Sequence, residues 1–284
     1  MNPTFYHTAN ASLVFFIENE FYNKGQAYKN YTSKLYYNYD SELTDGYHAY
    51  SAPFKQWIYD QGVEGAWILS GVSGSANITK SITGMKVDYA NGRVLVPSSY
   101  GTGLNISGSY AFKDLNLYLP NETQEGLLSN SKFTLNPRFG KYPNSGIVPY
   151  AMVTPAIFLT SEAYENSAFD LAGMYETEAR FSAVIMAENT WILDGALSLF
   201  SDMKRKSFPQ LAPSSDPINE YGDIKSSYPD GYNYSIIKQT SGTPGNQLMI
   251  KEVMASRLSD KLKINPNVFV GIVDFDVIKV RTID

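Results

Sequence analysis

Met85-Lys-Val-Asp-Tyr-Ala-Asn-Gly-Arg-Val-Leu-Val96 reads as a β-hairpin, and it sets the class of the whole chain. Asn91-Gly92 suits a type I′ turn, in which both central residues take positive φ. Val87 and Tyr89 then pair across from Val94 and Val96. The flanking segments carry the same signal. Leu35-Tyr-Tyr-Asn-Tyr39, Phe54-Lys-Gln-Trp-Ile-Tyr59 and Ala66-Trp-Ile-Leu69 are short aromatic and β-branched runs bounded by Gly, Pro, Ser or Asp. Ile106 to Leu119 ends in alternation, with Leu115, Leu117 and Leu119 facing one way and Asn116 and Tyr118 the other. That is the pattern of a half-buried strand.

Further strands are expected at Ala156-Ile-Phe-Leu-Thr160, followed by a loop, and at Arg180 to Ala187. Val268 to Arg281 reads as one long strand. Leu248 to Leu258 fits strand or helix, and as a strand it would form an antiparallel pair with the last one across Asp260 to Asn267. Two helices interrupt the β pattern. Asn10 can cap a short helix from Ala11 to Asn23, ended by Gly25, with a strand over Ser12 to Ile17 as the alternative. Asn189 caps the main helix, Thr190 to Lys206. There Trp191, Leu193, Ala196, Leu197, Phe200 and Met203 form an apolar face, and Lys204-Arg205-Lys206 complement the macrodipole.

The fold class that follows is α+β, mostly β: antiparallel sandwich or barrel-like sheets with one main packed helix over 190–206 and a short N-terminal helix. Three parts are expected: a β-rich lobe over 1–135, a Pro/Gly/Asn-rich linker or surface arm over 136–155, and an α+β lobe over 156–284. A single large domain is also compatible. Pro213 to Gly245, rich in Pro, Gly, Ser, Asp and Tyr, reads as a second long loop or arm.

Composition narrows the function classes. The chain holds 22 Tyr, 2 His and no Cys in 284 residues, with 18% charged residues and a net charge of −5. The absence of Cys removes disulfides, thiolate catalysis and Cys-based zinc sites together. His7 and His48 stand far apart without metal-ligand spacing. Glu18, Glu20, Asp88, Glu176, Glu178 and Glu188 form no acidic motif. Gly71-Val-Ser-Gly-Ser-Ala lacks the spacing of a phosphate-binding loop, and no nucleophile elbow occurs. No catalytic residue, metal or cofactor is expected. The basic footprint of a nucleic-acid binder is missing, although a channel lumen touching DNA without sequence specificity would need only local charge. The run Leu13 to Ile17 is too short for a signal segment or a membrane span, so folding in a cytoplasm without a membrane partner is expected.

Tyrosine is instead the residue of half-buried strands and contact surfaces, with an apolar body and a polar tip. Tyr28/Tyr31, Tyr36/Tyr37/Tyr39 and Tyr47/Tyr50 fit either stacking on a partner or filling of sheets. Asp274 and Asp276 share one face of the last strand, as a rim or inter-subunit contact would place them. The candidate interface residues are these two carboxylates with Tyr142, Tyr228, Tyr232 and Tyr234.

Three segments carry a resemblance: Lys86 to Val96, Tyr150-Ala-Met-Val-Thr-Pro-Ala-Ile-Phe-Leu159, and Phe181 to Phe200. They resemble virion structural proteins of tailed bacteriophages, particularly neck, head–tail connector and tail-completion proteins. The resemblance implies a homo-oligomeric ring between portal and tail or capping the tail tube. It also implies other neck, portal or tail proteins as partners, the virion as location, and no catalytic residues. Such a ring needs two different edges that match one another. The Asn136–Pro155 stretch, the Pro213–Gly245 arm and the last strand are candidates to extend a neighbour's sheet. The alternative is a carbohydrate-binding β-sandwich, lectin-like or adhesive, stacking sugars on Trp57 and Trp67. A carboxylate-dependent hydrolase is the third reading.

Overall fold

A helix that is apolar around its circumference, α1 (Phe5–Asn23), packs against both sheets of the protein. The computed structural model describes residues 5–40, 46–65, 68–73, 76–79, 84–119, 154–168, 174–212, 215–217, 225, 227–228, 231–243, 245–258 and 268–282. Residues 12–18 are buried without a break, the signature of an internal helix rather than an amphipathic surface one. The helix therefore starts earlier than its expected cap, and Asn10 lies in its second turn. Tertiary contacts hold that extra turn: Gln210 Nε2 donates to Thr8 Oγ1, and the Leu211 amide donates to Ser12 Oγ at 2.8 Å. Lys24 and Gly25 both donate to the Glu20 carbonyl, closing the helix where Gly25 predicts.

The first sheet has the order β4-β3-β7-β1-β2-β6-β5. Its strands are β1 (Tyr28–Asn38), β2 (Tyr47–Ser51), β3 (Ile68–Ser73), β4 (Ala76–Thr79), β5 (Lys86–Asp88), β6 (Arg93–Pro97) and β7 (Asn105–Lys113). β1 pairs with β7 through Leu35 and with β2 from Tyr36 onward, so one long strand joins two halves of a curled sheet. Its core holds Tyr50, Trp57, Tyr110, Val94, Val96 and Ile106.

The second sheet has the order β11-β12-β13-β10-β9-β8. It is built from β8 (Asn116–Tyr118), β9 (Ala156–Ala168), β10 (Met174–Ala187), β11 (Ser207–Pro209), β12 (Gln247–Arg257) and β13 (Phe269–Thr282). Helices α2 (Thr190–Ser201) and α3 (Tyr234–Ser241) and a 3-10 turn at Ser98–Tyr100 complete the described elements. The fold is α+β and mostly β.

Several expectations are corrected. The run Ile106–Leu119 is two strands: the chain breaks at Asp114-Leu115 and changes sheets, β8 pairing parallel to β9. Asn116 is buried rather than facing solvent, because its amide side chain donates to the Pro155 carbonyl at 3.2 Å. Both α1 and β8 come from the first half of the chain and pack with the second sheet, so the two expected lobes share one core. Residues 136–153, most of the expected linker, lie outside the described residues. β9 and β10 are thirteen and fourteen residues long, where a short strand, a loop and an eight-residue strand were expected. Their polar halves have no apolar signal; β10 is held by ladders to β9 and β13 on both sides.

α2 keeps its cap, with Asn189 Oδ1 accepting from the Ile192 amide at 2.8 Å, and it buries Leu193, Ala196 and Phe200. It stops at Ser201, not Lys206, and Trp191 on its expected apolar face is exposed. Arg205 takes φ 64° and reverses the chain so that β11 can pair with β12. The basic triplet serves tertiary pairs instead of a helix end: Lys204 meets Glu252 at 2.5 Å and Lys206 meets Glu20 at 2.6 Å. The expected arm Pro213–Gly245 contains α3, capped by Asn233 Oδ1 on the Ile236 amide and anchored by buried Tyr234 and Ile237. β12 resolves the ambiguous segment as a strand, antiparallel to β13.

The hairpin of β5 and β6 forms, with Val87 opposite Val94, but its turn is not type I′. Asn91 has no positive φ; Gly92 alone does, at 61°. The Asp88 carboxylate accepts from the Asn91 amide at 3.1 Å and from its Nδ2 at 2.9 Å, and this closes a four-residue loop. Gly92 also passes so near the Phe54 carbonyl that a Cβ would collide with it. Gly92→Ala is expected to cost ~1–3 kcal/mol, from left-handed backbone plus a steric clash. Thermal and urea unfolding would measure it.

Candidate functional site: a buried charge network and a bare sheet surface

Two groups of described titratable residues stand out. The first lies inside, where α1 meets β7. Glu18 and Lys113 are 4% and 3% exposed and form an ion pair, Lys113 Nζ donating to Glu18 Oε1. Tyr232 Oη lies 3.5 Å from Glu18 Oε2, and the Lys113 ammonium sits 4.8 Å from the centre of the Tyr59 ring. Asp60, also buried, accepts from the amides of Gly62 and Tyr234 at 2.9 and 3.1 Å. Burial works to lower the Lys113 ammonium, and Glu18, Tyr22 and Tyr59 outweigh it, holding it well above the ordinary lysine range. Burial, then the Glu18 charge, pushes Tyr22 and Tyr232 well up and Tyr59 up to about 12. Burial also raises Asp60 against its two amide donors.

The second place is the far half of the second sheet. Residues 161–168 of β9 are exposed throughout. On the adjoining strands Lys251 lies 3.1 Å from Glu176 and 2.9 Å from Glu178, and Arg180 reaches Glu178 and Asp276 at 3.5 Å each. The Lys251 ammonium beside Glu178 holds that carboxyl below the usual range, while burial and the Glu178 charge raise Asp276. The first sheet adds exposed Tyr36, Tyr37 and Tyr39 at the end of β1, with Tyr100 exposed beyond β6.

The expected site residues do not converge. Asp274 and Asp276 do share the outer face of β13, between buried Val273, Phe275 and Val277; Asp274 accepts from Ser182 Oγ at 2.9 Å. Tyr228 is half-buried against the core. Tyr232 and Tyr234 are corrected: at 3% and 1% exposed they belong to the interior and cannot be contact residues on a free arm. The physical reason is α3, which draws that segment onto α1. Tyr142 lies outside the described residues. The last strand is corrected as an edge, because β13 is flanked by β12 and β10.

Trp57 is 0% exposed and packs on Tyr110, which removes it as a sugar platform. Trp67 lies outside the described residues. Of the aromatic groups, Tyr50 is buried and Tyr31 packs on Phe54, whereas Tyr36, Tyr37 and Tyr39 stay exposed. His48 sits edge-on to Tyr37. The six carboxylates that form no acidic motif all have partners: Glu20 with Lys24 and Lys206, Asp88 with Arg93, and Glu188 with Thr154, beside the three already described. Among the described residues no cluster of three or more His, Asp or Glu could hold a metal ion, and no helix is long and apolar enough to cross a membrane.

A cleft of about 580 Å³ opens between the end of α1, α3 and the start of β12. Asn19, Asn23, Lys238, Gln239 and Gln247 line it, over the buried Tyr234. No sequence signal marks it, since its residues come from α1, from Pro209 and from the stretch 234–247, far apart in the chain. Its carboxamides can hydrogen-bond a polar molecule, but it holds no acid/base pair.

These features define a mostly-β protein whose polar chemistry lies in structural ion pairs and on open sheet surface. No family model matches the chain, and no curated protein matches it in sequence.

Proposed function

We propose that this protein is a structural virion component of a tailed phage, forming a homo-oligomeric ring in the neck or tail. The observation that carries the reading is the far half of the second sheet. Long strands run beyond the core there, and in β9 both faces are exposed over eight residues. A strand of that length without a covering layer gains little from burial in a monomer, and a neighbouring copy supplies the missing surface. The exposed tyrosines at the end of β1 are the residue type enriched at such contacts. The resemblance of Lys86–Val96, Tyr150–Leu159 and Phe181–Phe200 to neck and tail-completion proteins supports the same assembly. Other neck, portal or tail proteins would be its partners, and any DNA contact would be lumenal.

Size-exclusion chromatography with in-line mass measurement, followed by electron microscopy, tests the reading. A closed ring of identical subunits is expected. A monomer at every concentration, absent from purified particles, would overturn it.

A further inference from the structure

In the second sheet β9 and β12 each carry a stretch that no strand flanks among the described residues. β8 flanks β9 only at Ala156–Phe158, and no other strand flanks that side among the described residues. At the opposite side β11 covers only Gln247–Met249 of β12, and Ile250 exchanges hydrogen bonds with Arg205 and Lys206. From Lys251 onward no further strand adjoins β12 among the described residues.

The register aligns these edges. Met254 pairs with Asp274, Asp274 with Ser182, and Ser182 with Thr160. The next rows run Val253–Phe275–Phe181–Ser161 and Glu252–Asp276–Arg180–Ala163. The two stretches thus overlap in height from Leu159 to Ala163 on β9 and from Glu252 to Ala255 on β12. Each also carries one bulged residue there: Glu162 on β9, between the rows of Arg180 and Phe181, and Lys251 on β12, between Ile250 and Glu252.

Direction fits as well. Three antiparallel steps separate β12 from β9, so the two run in opposite directions. A second copy placed beside the first in the same orientation therefore brings its β12 antiparallel to the first copy's β9, the geometry of a regular ladder.

We propose that copies of this chain join head to tail by pairing β9 of one with β12 of the next, making a sheet continuous between subunits. This rests on the ring reading and names the contact that builds the ring. Main-chain hydrogen bonds supply the adhesion. Exposed Met254 (68%) gains cover at the junction. Two unlike edges give a heterologous contact, which closes into a ring or runs on as a filament, whereas self-pairing of one edge would stop at a dimer.

The chain has no cysteine, so engineered ones report cleanly. Full-length Ser161→Cys and Met254→Cys variants with different tags are mixed and mildly oxidised. Ala163→Cys and Ser167→Cys, each mixed with Met254→Cys, scan for a staggered junction. Antiparallel neighbours fall within the Cα separation a disulfide spans. The expected result is a mixed-tag disulfide dimer in at least one mixture, a ladder of higher species from the corresponding double variant, and no cross-link from Met254→Cys alone. Dimers of one β9 variant with itself would replace this contact by two-fold edge pairing. Oligomers by mass without any β9–β12 cross-link would overturn the contact and leave the ring reading standing; that is also the outcome if the bulges serve to keep both edges unpaired. A monomer throughout would remove both.

Discussion

Lys113→Ala is expected to destabilise the protein by ~3–5 kcal/mol, the typical cost of breaking a buried ion pair by removing one partner. Lys113 connects β7 to α1 through Glu18, and neither side chain reaches solvent. Deleting the ammonium leaves a buried carboxylate near Tyr22, Tyr59 and Tyr232, with the Tyr232 hydroxyl 3.5 Å away as its remaining described partner. The aliphatic stem of the lysine is lost with the charge, adding a cavity. Glu18→Leu combined with Lys113→Met removes both charges while keeping volume, and is expected to recover most of the loss. Urea unfolding of the two single variants and the double variant measures the coupling, with unchanged slopes marking a change in stability alone. A single-variant effect below ~0.5 kcal/mol, ordinary for a surface substitution, would show that the pair does not hold α1 in place.

Alkaline pH should unfold the protein for a related reason. Lys113, Tyr22, Tyr59, Tyr232 and Tyr234 all hold their protons more tightly in the fold than in the open chain. Burial is the main cause for the four tyrosines, whereas Lys113 is raised by its anionic neighbours against burial. In the unfolded chain these groups titrate at ~10 for Tyr and ~10.4 for Lys. Below that range both states are protonated and stability is flat. Above it the unfolded state binds fewer protons than the native one, so stability falls with rising pH until each folded pKa is passed. Each group removes ~1.4 kcal/mol per pH unit in that window. For Tyr59, raised to about 12, the window spans roughly two units and the loss is ~2.7 kcal/mol. With five such groups the fold should give way in one cooperative step above pH ~10. Far-UV circular dichroism and tyrosinate absorbance should change together in that step. A β-sheet signal persisting through pH ~12 would contradict the linkage.

Legibility in the sequence followed a simple division. Segments with a strong local period or cap were readable: the Asn189 cap, the hairpin around β5 and β6, and the long last strand β13, whereas β12 fitted strand or helix equally. Segments held by distant partners were not. The polar halves of β9 and β10 have no apolar alternation, and their strand form comes from ladders to neighbouring strands. The extra turn of α1 depends on Gln210 and Leu211, some two hundred residues away. α3 did carry a signal, Asn233 followed by Tyr234 and Ile237, but the surrounding Pro and Gly masked it. Of the candidate contact residues, alternation correctly put Asp274 and Asp276 on one outer face, while nothing local told Tyr232 and Tyr234 from exposed tyrosines.

The amino-acid order by itself settled that this is a mostly-β α+β chain with a capped helix and no thiol chemistry, because those properties depend on composition and on contacts a few residues apart. The tertiary structure alone decided that β13 is internal, that β9 and β12 each carry a stretch no strand flanks among the described residues, and that Glu18 meets Lys113. Each of these requires strands or side chains far apart in sequence to be placed side by side, and their local patterns are compatible with many such placements.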